Sequence, residues 1–339
     1  MQRKIKNAGK GSVIEKTRRK LRGIWVYRLR TTRIYPYCYV SYWHSKLKQP
    51  TVRNECADDS TAAFFAARPN PGAGIGHQMA NWIAGYWFAK KFNLRFAHIP
   101  FSNKKWEEFF GFYQGKATLS DLRREGYKVR RIPLFDEYNP AEVERIKSII
   151  ASYAGDKIVF LAEQDQFYHD QFGVMEDLQK KFYSAPARKK DKVIYKDGDF
   201  NIAIHVRRGD IMQGDVHSDP ELAKRYQDNT YFVNALRSVL EYFQDRANIQ
   251  IYLFSQGKQE DFQEFLEFPN LHFCLDMDAQ SSFLHMVYAD VLITSKSSFS
   301  YKPALLNRGI KFCPADFWHG YPNRRDWVLL DENGTIIGV

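Results

Sequence analysis

The chain has 339 residues, 44% hydrophobic and 16% aromatic, enough apolar material for one large domain or two ordinary ones. Its net charge of +11 is unevenly spread: residues 1–50 carry +13, with Glu15 the single acid, and the remainder carries −2, which argues against a nucleic-acid surface on the main body. Cys38, Cys56, Cys274 and Cys313 lie far apart without metal-ligand spacing, so neither a disulfide framework nor a zinc site is expected, and a reducing compartment fits.

Residues 1–60 read as a basic, aromatic arm and linker. Lys16, Arg18, Arg19, Lys20 and Arg22 cluster, and Trp25, Tyr27, Tyr35, Tyr37, Tyr39, Tyr42 and Trp43 follow among further cations. Rings of this kind suit a bilayer interface and Lys/Arg suit anionic headgroups, so an anionic membrane surface is the partner expected of residues 1–48. Packing on the protein's own body and RNA binding are the other two readings. The stretch 23–43 is broken by Arg28, Arg30 and Arg33 and falls short of the roughly 20 nearly uncharged residues of a spanning helix. The expected location is cytoplasmic, peripheral on the membrane.

Residues 61–190 and 191–339 read as two α/β domains, divided at the polar segment 184–192. In the first, 63–67 is a strand, followed by the glycine-rich loop Asn70-Pro71-Gly72-Ala73-Gly74-Ile75-Gly76 and a helix over 77–92. Such a unit brings backbone N–H groups to an anion. Strands at 94–98 and 157–161 and helices at 104–110, 140–153 and 171–182 follow. Asn139 is the expected cap and Pro140 the first residue of its helix. Residues 112–135 give no clear pattern. In the second domain, strands at 200–206, 249–254, 271–275, 291–294 and 310–313 alternate with helices from 229 and at 260–268, 281–288 and 301–307. That alternation implies a parallel sheet.

The strand over 200–206 runs into His205-Val206-Arg207-Arg208-Gly209-Asp210. Ligands of open α/β sheets sit beyond the carboxyl ends of strands, and arginine grips phosphate there with a charged, planar fork. A surface Arg pair in an ion-pair network with Asp210 is the plainer reading. There is no His-Glu-x-x-His arrangement and no Gly-x-x-x-x-Gly-Lys-Ser/Thr loop, so a zinc hydrolase or P-loop kinase lacks its main feature.

The His-x-Arg-Arg-x-Asp pattern resembles the first motif of the GDP-fucose-dependent fucosyltransferases that make α1,2 and α1,6 linkages. Gly74-Ile75-Gly76-His77-Gln78-Met79, with Asn81 just beyond, is similar to the Gly-x-Gly-x-Gln-(Met/Leu) start of the α1,2 enzymes. The segment 289–300, an apolar strand ending in Ser297-Ser298-Phe299-Ser300, resembles their C-terminal motif. The three occur in the family's order over about residues 63–310.

The resemblance implies a GT-B fold, two Rossmann-like domains with parallel sheets facing across a cleft, acceptor side first and donor side second. It implies inverting, metal-independent transfer of fucose from GDP-fucose to a glycan hydroxyl, with no cofactor beyond the donor. Arg207 would hold the β-phosphate and Arg208 would support it. His205 and Asp210 would orient the pair or touch the sugar nucleotide. Ser297, Ser298, Phe299 and Ser300 would meet phosphate at a helix start, and Gly74, Gly76, His77, Gln78 and Asn81 would face them from the first domain. Inversion needs a base, with Asp210, Asp215, His217 and Asp219 as candidates; Asp215 matches an acid of the α1,6 enzymes. Where the family often has an acid for guanine the chain has Ser282, with Asp276, Asp278 or Gln280 as substitutes. Tyr301-Lys302 replaces an aromatic pair. Asp276-Met277-Asp278 and Asp197-Gly198-Asp199 also satisfy the Asp-x-Asp of metal-dependent GT-A enzymes. Trp318, His319 and Tyr321 are readable as a sugar platform or as packing. Transfer from another sugar nucleotide, and a catalytically silent membrane- or RNA-binding protein of the same fold, are the alternative functions.

Overall fold

The computed structural model describes residues 21, 23, 28–30, 32–48, 63–163, 166, 168–213, 220–275 and 277–337; at 210, 213, 220 and 221 only the backbone is described. The basic cluster at 16–20, Cys56, Asp215, His217, Asp219 and Asp276 therefore lie outside the described residues.

Two all-parallel sheets form the body. The first contains β1 (Phe64–Ala66), β2 (Arg95–Phe96), β3 (Lys128–Arg131) and β4 (Ile158–Leu161) in the order β2-β1-β4-β3. The central strands β1 and β4 are buried at every residue, as continuous apolar runs are when helices cover both faces. The cation-rich edge strand β3 is not, and charges on an edge deter further pairing. Helices α2 (Ile75–Lys91), α3 (Lys104–Phe110), α4 (Leu119–Arg124), α5 (Pro140–Ser152) and α6 (Met175–Ser184) accompany this sheet. Asn139 caps α5 as expected, accepting from Ala141 N at 3.1 Å.

The second sheet contains β5 (Phe200–His205), β6 (Ile249–Phe254), β7 (Leu271–Cys274), β8 (Val291–Ile293), β9 (Ile310–Pro314) and β10 (Trp327–Leu330). Its order is β10-β9-β8-β5-β6-β7, which is the Rossmann order with β5 as its first strand. The chain leaves β5 on one side and returns on the other at β8. The crevice where the order reverses lies between the carboxyl ends of those two strands. Helices α7 (Asn229–Tyr242), α8 (Ala279–Tyr288) and α9 (Ser298–Leu306) belong to this half.

The halves share packing. Helix α9 lies on α2 and α6 of the first half, and one hydrophobic core runs from Phe65, Trp82 and Phe182 through Phe283 and Leu305 to Phe254 and Cys313. Two parallel sheets with their helices, packed together in one chain, are the α/β architecture that the resemblance implies.

Several elements differ from their sequence expectations. Helix α9 begins at Ser298 rather than 301, because Ser297 Oγ accepts from Phe299 N at 3.1 Å and caps it. Residues 259–267 form 3₁₀ turns kinked at Phe262 instead of a regular helix. Strands β3 and β10 and helices α4 and α1 (Val40–Leu47) have no counterpart among the expected elements. Residues 35–48 pack on the first half. Tyr35, Tyr39 and Tyr42 are buried, Tyr35 Oη accepts from Leu134 N at 3.1 Å, Ser41 donates to Arg131 O at 2.6 Å, and the His44 ring stacks on Tyr153 at 3.7 Å. Among the described residues, no helix is long and apolar enough to cross a membrane.

Candidate functional site

A cavity of about 790 Å³ opens where the two halves meet. The first half contributes the start of α2 and the segment at Tyr168 and His169. The second contributes the ends of β5 and β6, the starts of α8 and α9, and Trp318 with His319. The crevice at the β5/β8 reversal is part of it.

Arg207 follows β5 directly. Its Nη1 donates to Ser297 Oγ at 3.1 Å, so the cation that leaves one strand is aimed at the helix start that follows the other. Ser297 is buried and also caps α9. Ser298 and Phe299 line the cavity; Ser300 lies behind them, its Oγ accepting from Ser295 N at 3.1 Å. The capped start of α9, with the positive end of its dipole, therefore opens beside a guanidinium.

The second arginine has a different task. Arg208 reaches the cavity wall, yet its guanidinium is buried and donates to Arg207 O at 2.8 Å, Gln227 O at 2.9 Å and Asn229 Oδ1 at 2.6 Å. Burial lowers its affinity for the proton. It ties the loop after β5 to the start of α7 and fixes the backbone that presents Arg207. Gly209 stands in the left-handed region at φ +61°, which turns the chain away at once.

His205 is buried with Nδ1 2.8 Å from Ser295 Oγ. Burial, then the positive charges of Arg207 and Arg208, pull its pKa down to about 3. The imidazole is neutral and adds no charge of its own. His319 is likewise held down, to about 2, by burial and then by Lys302. Lys302 is fully buried, and its Nζ donates to Gln171 Oε1 at 2.7 Å. Tyr301-Lys302, where the family pattern is broken, is thus core structure beneath the cavity.

On the facing wall, Gly74, Gly76 and His77 line the cavity. Gly76 permits the contact between halves: a Cβ there would lie 2.7 Å from Ser298 O and 2.8 Å from its carbonyl carbon. Gln78 and Asn81 do not line the cavity. Gln78 donates to Ala73 O and Ser102 Oγ, each at 2.8 Å, and Asn81 Oδ1 accepts from Asn70 N at 3.0 Å, so both hold the glycine loop from behind.

Ser282 lines the cavity; the Asp278 carboxylate caps α8, accepting from Gln280 N at 2.9 Å, and Gln280 Nε2 donates across to Lys105 O at 2.9 Å. Trp318 and His319 line the cavity, while Tyr321 is packed against Trp327 and donates to Pro314 O at 3.0 Å. Sequence reasoning passed over Arg225, Tyr168, His169, Ser255 and Gln256. Ser255 and Gln256 sit just past β6, so the strand-end rule applied to the neighbouring strand would have found them. Arg225, which stands over Trp318 at 5.9 Å, comes from a polar loop with no such signal.

Among the described residues that line the cavity, three are arginines, four are histidines and none is acidic. Two helix starts, α2 and α9, add partial positive charge. This arrangement can bind a phosphate-rich anion and stabilise negative charge that grows on it.

No protein-family model and no curated protein matches the chain. Solved structures similar to it include POFUT1 in its apo form, 12% identical over 74% of this chain and 96% of that one, with a TM-score of 0.44. NodZ α-1,6-fucosyltransferase co-crystallised with GDP is 14% identical over 74% of this chain and 94% of that one, with a TM-score of 0.42. A variant of FUT1 from Arabidopsis thaliana in complex with GDP is 10% identical over 91% of this chain and 80% of that one, also with a TM-score of 0.42.

Proposed function

We propose that the chain is a glycosyltransferase that moves fucose from GDP-fucose to a hydroxyl of a glycan acceptor, with inversion and without a metal. One observation carries this reading: Arg207 and Ser297 meet at 3.1 Å where the Rossmann strand order reverses, on the wall of a cavity without described acids. The three sequence motifs that resemble the GDP-fucose enzymes supply that wall.

Breaking a sugar–phosphate bond leaves negative charge on the departing diphosphate. A fixed guanidinium and a helix start stabilise that charge more in the transition state than before it, which is the condition for acceleration. Arg208 and Ser297 hold Arg207 in place, so little reorganisation is needed as the bond breaks. His205 stays neutral and leaves the positive field to the arginines. We assign the acceptor's proton to Asp215, with Asp210 as the alternative base. The acceptor would enter from the side of Gly74, Gly76 and His77. The cationic balance of the first 50 residues supports a membrane face as the place of the reaction.

A second donor deserves testing because Ser282, which lines the cavity, stands where the family that the motifs resemble often has an acid for guanine. Calorimetry with GDP, UDP and GTP decides. Selective GDP binding that is lost in Arg207→Ala supports the proposal. Preference for UDP moves the donor to another sugar nucleotide. Binding of none of the three makes the protein a silent relative. Asp215→Asn should then bind GDP normally and transfer nothing.

A further inference from the structure

The segment that precedes the first strand has two opposite faces, and only one is used by the fold. At roughly 100° per residue, His44, Ser41, Ser45 and Tyr42 of α1 follow one another around the side that meets the first half. Ser41 and Tyr42 are buried against the first half. Val40, Trp43 and Leu47 fall within about 60° of one another on the other side. They are 72%, 45% and 82% exposed. Ile34 and Tyr37, just before α1, are 58% and 46% exposed, and the Tyr37 and Trp43 rings lie 5.3 Å apart. Five large apolar side chains thus stand outward on one short segment, although a soluble surface gains nothing from them.

The cations of the same segment are exposed too: Arg28, Arg30, Arg33, Lys46 and Lys48. Lys48 has one loose partner, Asp156 at 3.7 Å, and residues 16–50 contain no acid at all. The indole N–H of Trp43 already donates to Tyr37 O at 2.7 Å, so the ring can enter a hydrocarbon boundary without stripping a donor.

We propose that this face, Ile34, Tyr37, Val40, Trp43 and Leu47 with the exposed Lys and Arg of the same segment, docks the protein on an anionic lipid bilayer. The apolar residues enter the headgroup boundary while the cations meet lipid phosphate and carboxylate. The inference names the face that makes the membrane contact of the proposed function, and it stands or falls without the donor or the chemistry.

The test is co-sedimentation of the full chain with vesicles of phosphatidylcholine alone and mixed with phosphatidylserine. Binding should be about tenfold or more tighter on the mixed vesicles and should weaken with added salt. Val40→Ser/Leu47→Ser, at positions the fold does not pack, should weaken it about tenfold while GDP affinity is unchanged. Lys46→Glu/Lys48→Glu should act on the mixed vesicles alone. No vesicle binding, or binding indifferent to both variants, overturns the proposal. So does a concentration-dependent dimer that the Val40→Ser/Leu47→Ser change dissolves in the absence of lipid binding, because the face then belongs to a second copy.

Discussion

Substituting Gly76 by alanine asks whether the contact between the halves sets the geometry of the site. The added Cβ would lie 2.7 Å from Ser298 O, 2.8 Å from its carbonyl carbon and 2.9 Å from its Cβ. Reaching ordinary contact requires the starts of α2 and α9 to part by roughly 0.7 Å, and the obstacle is backbone at a capped helix start, which cannot swing aside. Overpacking of this kind costs about 1–3 kcal/mol. Alanine recovers up to about 1 kcal/mol of helix propensity, and less in a first turn. The net loss of stability should be about 1–2 kcal/mol. Because the same two helix starts line the cavity, GDP affinity should fall about fivefold, or about 1 kcal/mol. Gly74→Ala is the control: its Cβ meets nothing within 4 Å, its φ is −63°, and it should change stability by less than about 1 kcal/mol. Urea unfolding with and without GDP, read beside calorimetry, measures both effects. A Gly76→Ala protein with the wild-type midpoint and wild-type GDP affinity would refute the reasoning.

The two arginines of the motif should separate by assay. Arg207→Ala should keep the wild-type unfolding midpoint and lose transfer by about two orders of magnitude, near 3 kcal/mol at the barrier; normal turnover would remove Arg207 from the chemistry. Arg208→Ala strips hydrogen bonds from Gln227 O and Asn229 in a buried place and should cost about 2–4 kcal/mol in chemical denaturation, whatever it does to turnover. His205 gives a pH dependence with a definite sign. The unfolded chain takes up a proton near pH 6.5 that the folded chain refuses down to about pH 3, so this residue makes stability fall with pH across that window, by about 2 kcal/mol at about pH 5. His319, held at about 2, acts in the same direction. Comparing unfolding midpoints at about pH 7.5 and 5, His205→Gln should lose less than wild type; an identical loss would mean that His205 is charged in the fold.

What sequence could convey depended on how many physical situations share a pattern. The run from 200 to 210, an apolar strand that stops at two arginines and a glycine, suited a strand-end site and a surface Arg pair alike, and the structure sets Arg207 at a strand reversal. The division of labour between Arg207 and Arg208 was not legible, because it depends on Gln227 and Asn229, some twenty residues away. Tyrosines and tryptophans mixed with cations look alike whether they meet lipid or protein. Only the packing of Tyr35, Tyr39 and Tyr42, against the exposure of Tyr37 and Trp43, divides the segment. Helix α4 and strand β3 were hidden because six polar-rich residues and a Lys-Val-Arg-Arg edge carry little periodic signal. Strand β10 was hidden because four apolar residues without alternation fit strand and helix equally. Gln78 and Asn81 looked like ligand-facing residues of the motif; the structure turns them to the back of the glycine loop, where they shape it.

Among the described residues, the apolar interior that passes from Trp82 through Phe283 to Phe254 joins the two halves in one core and resists their swinging apart. A molecule built this way should melt in a single cooperative step instead of lobe by lobe. With the halves joined in this way, the proposed donor and acceptor would exchange through the rim of the cavity and not by a hinge.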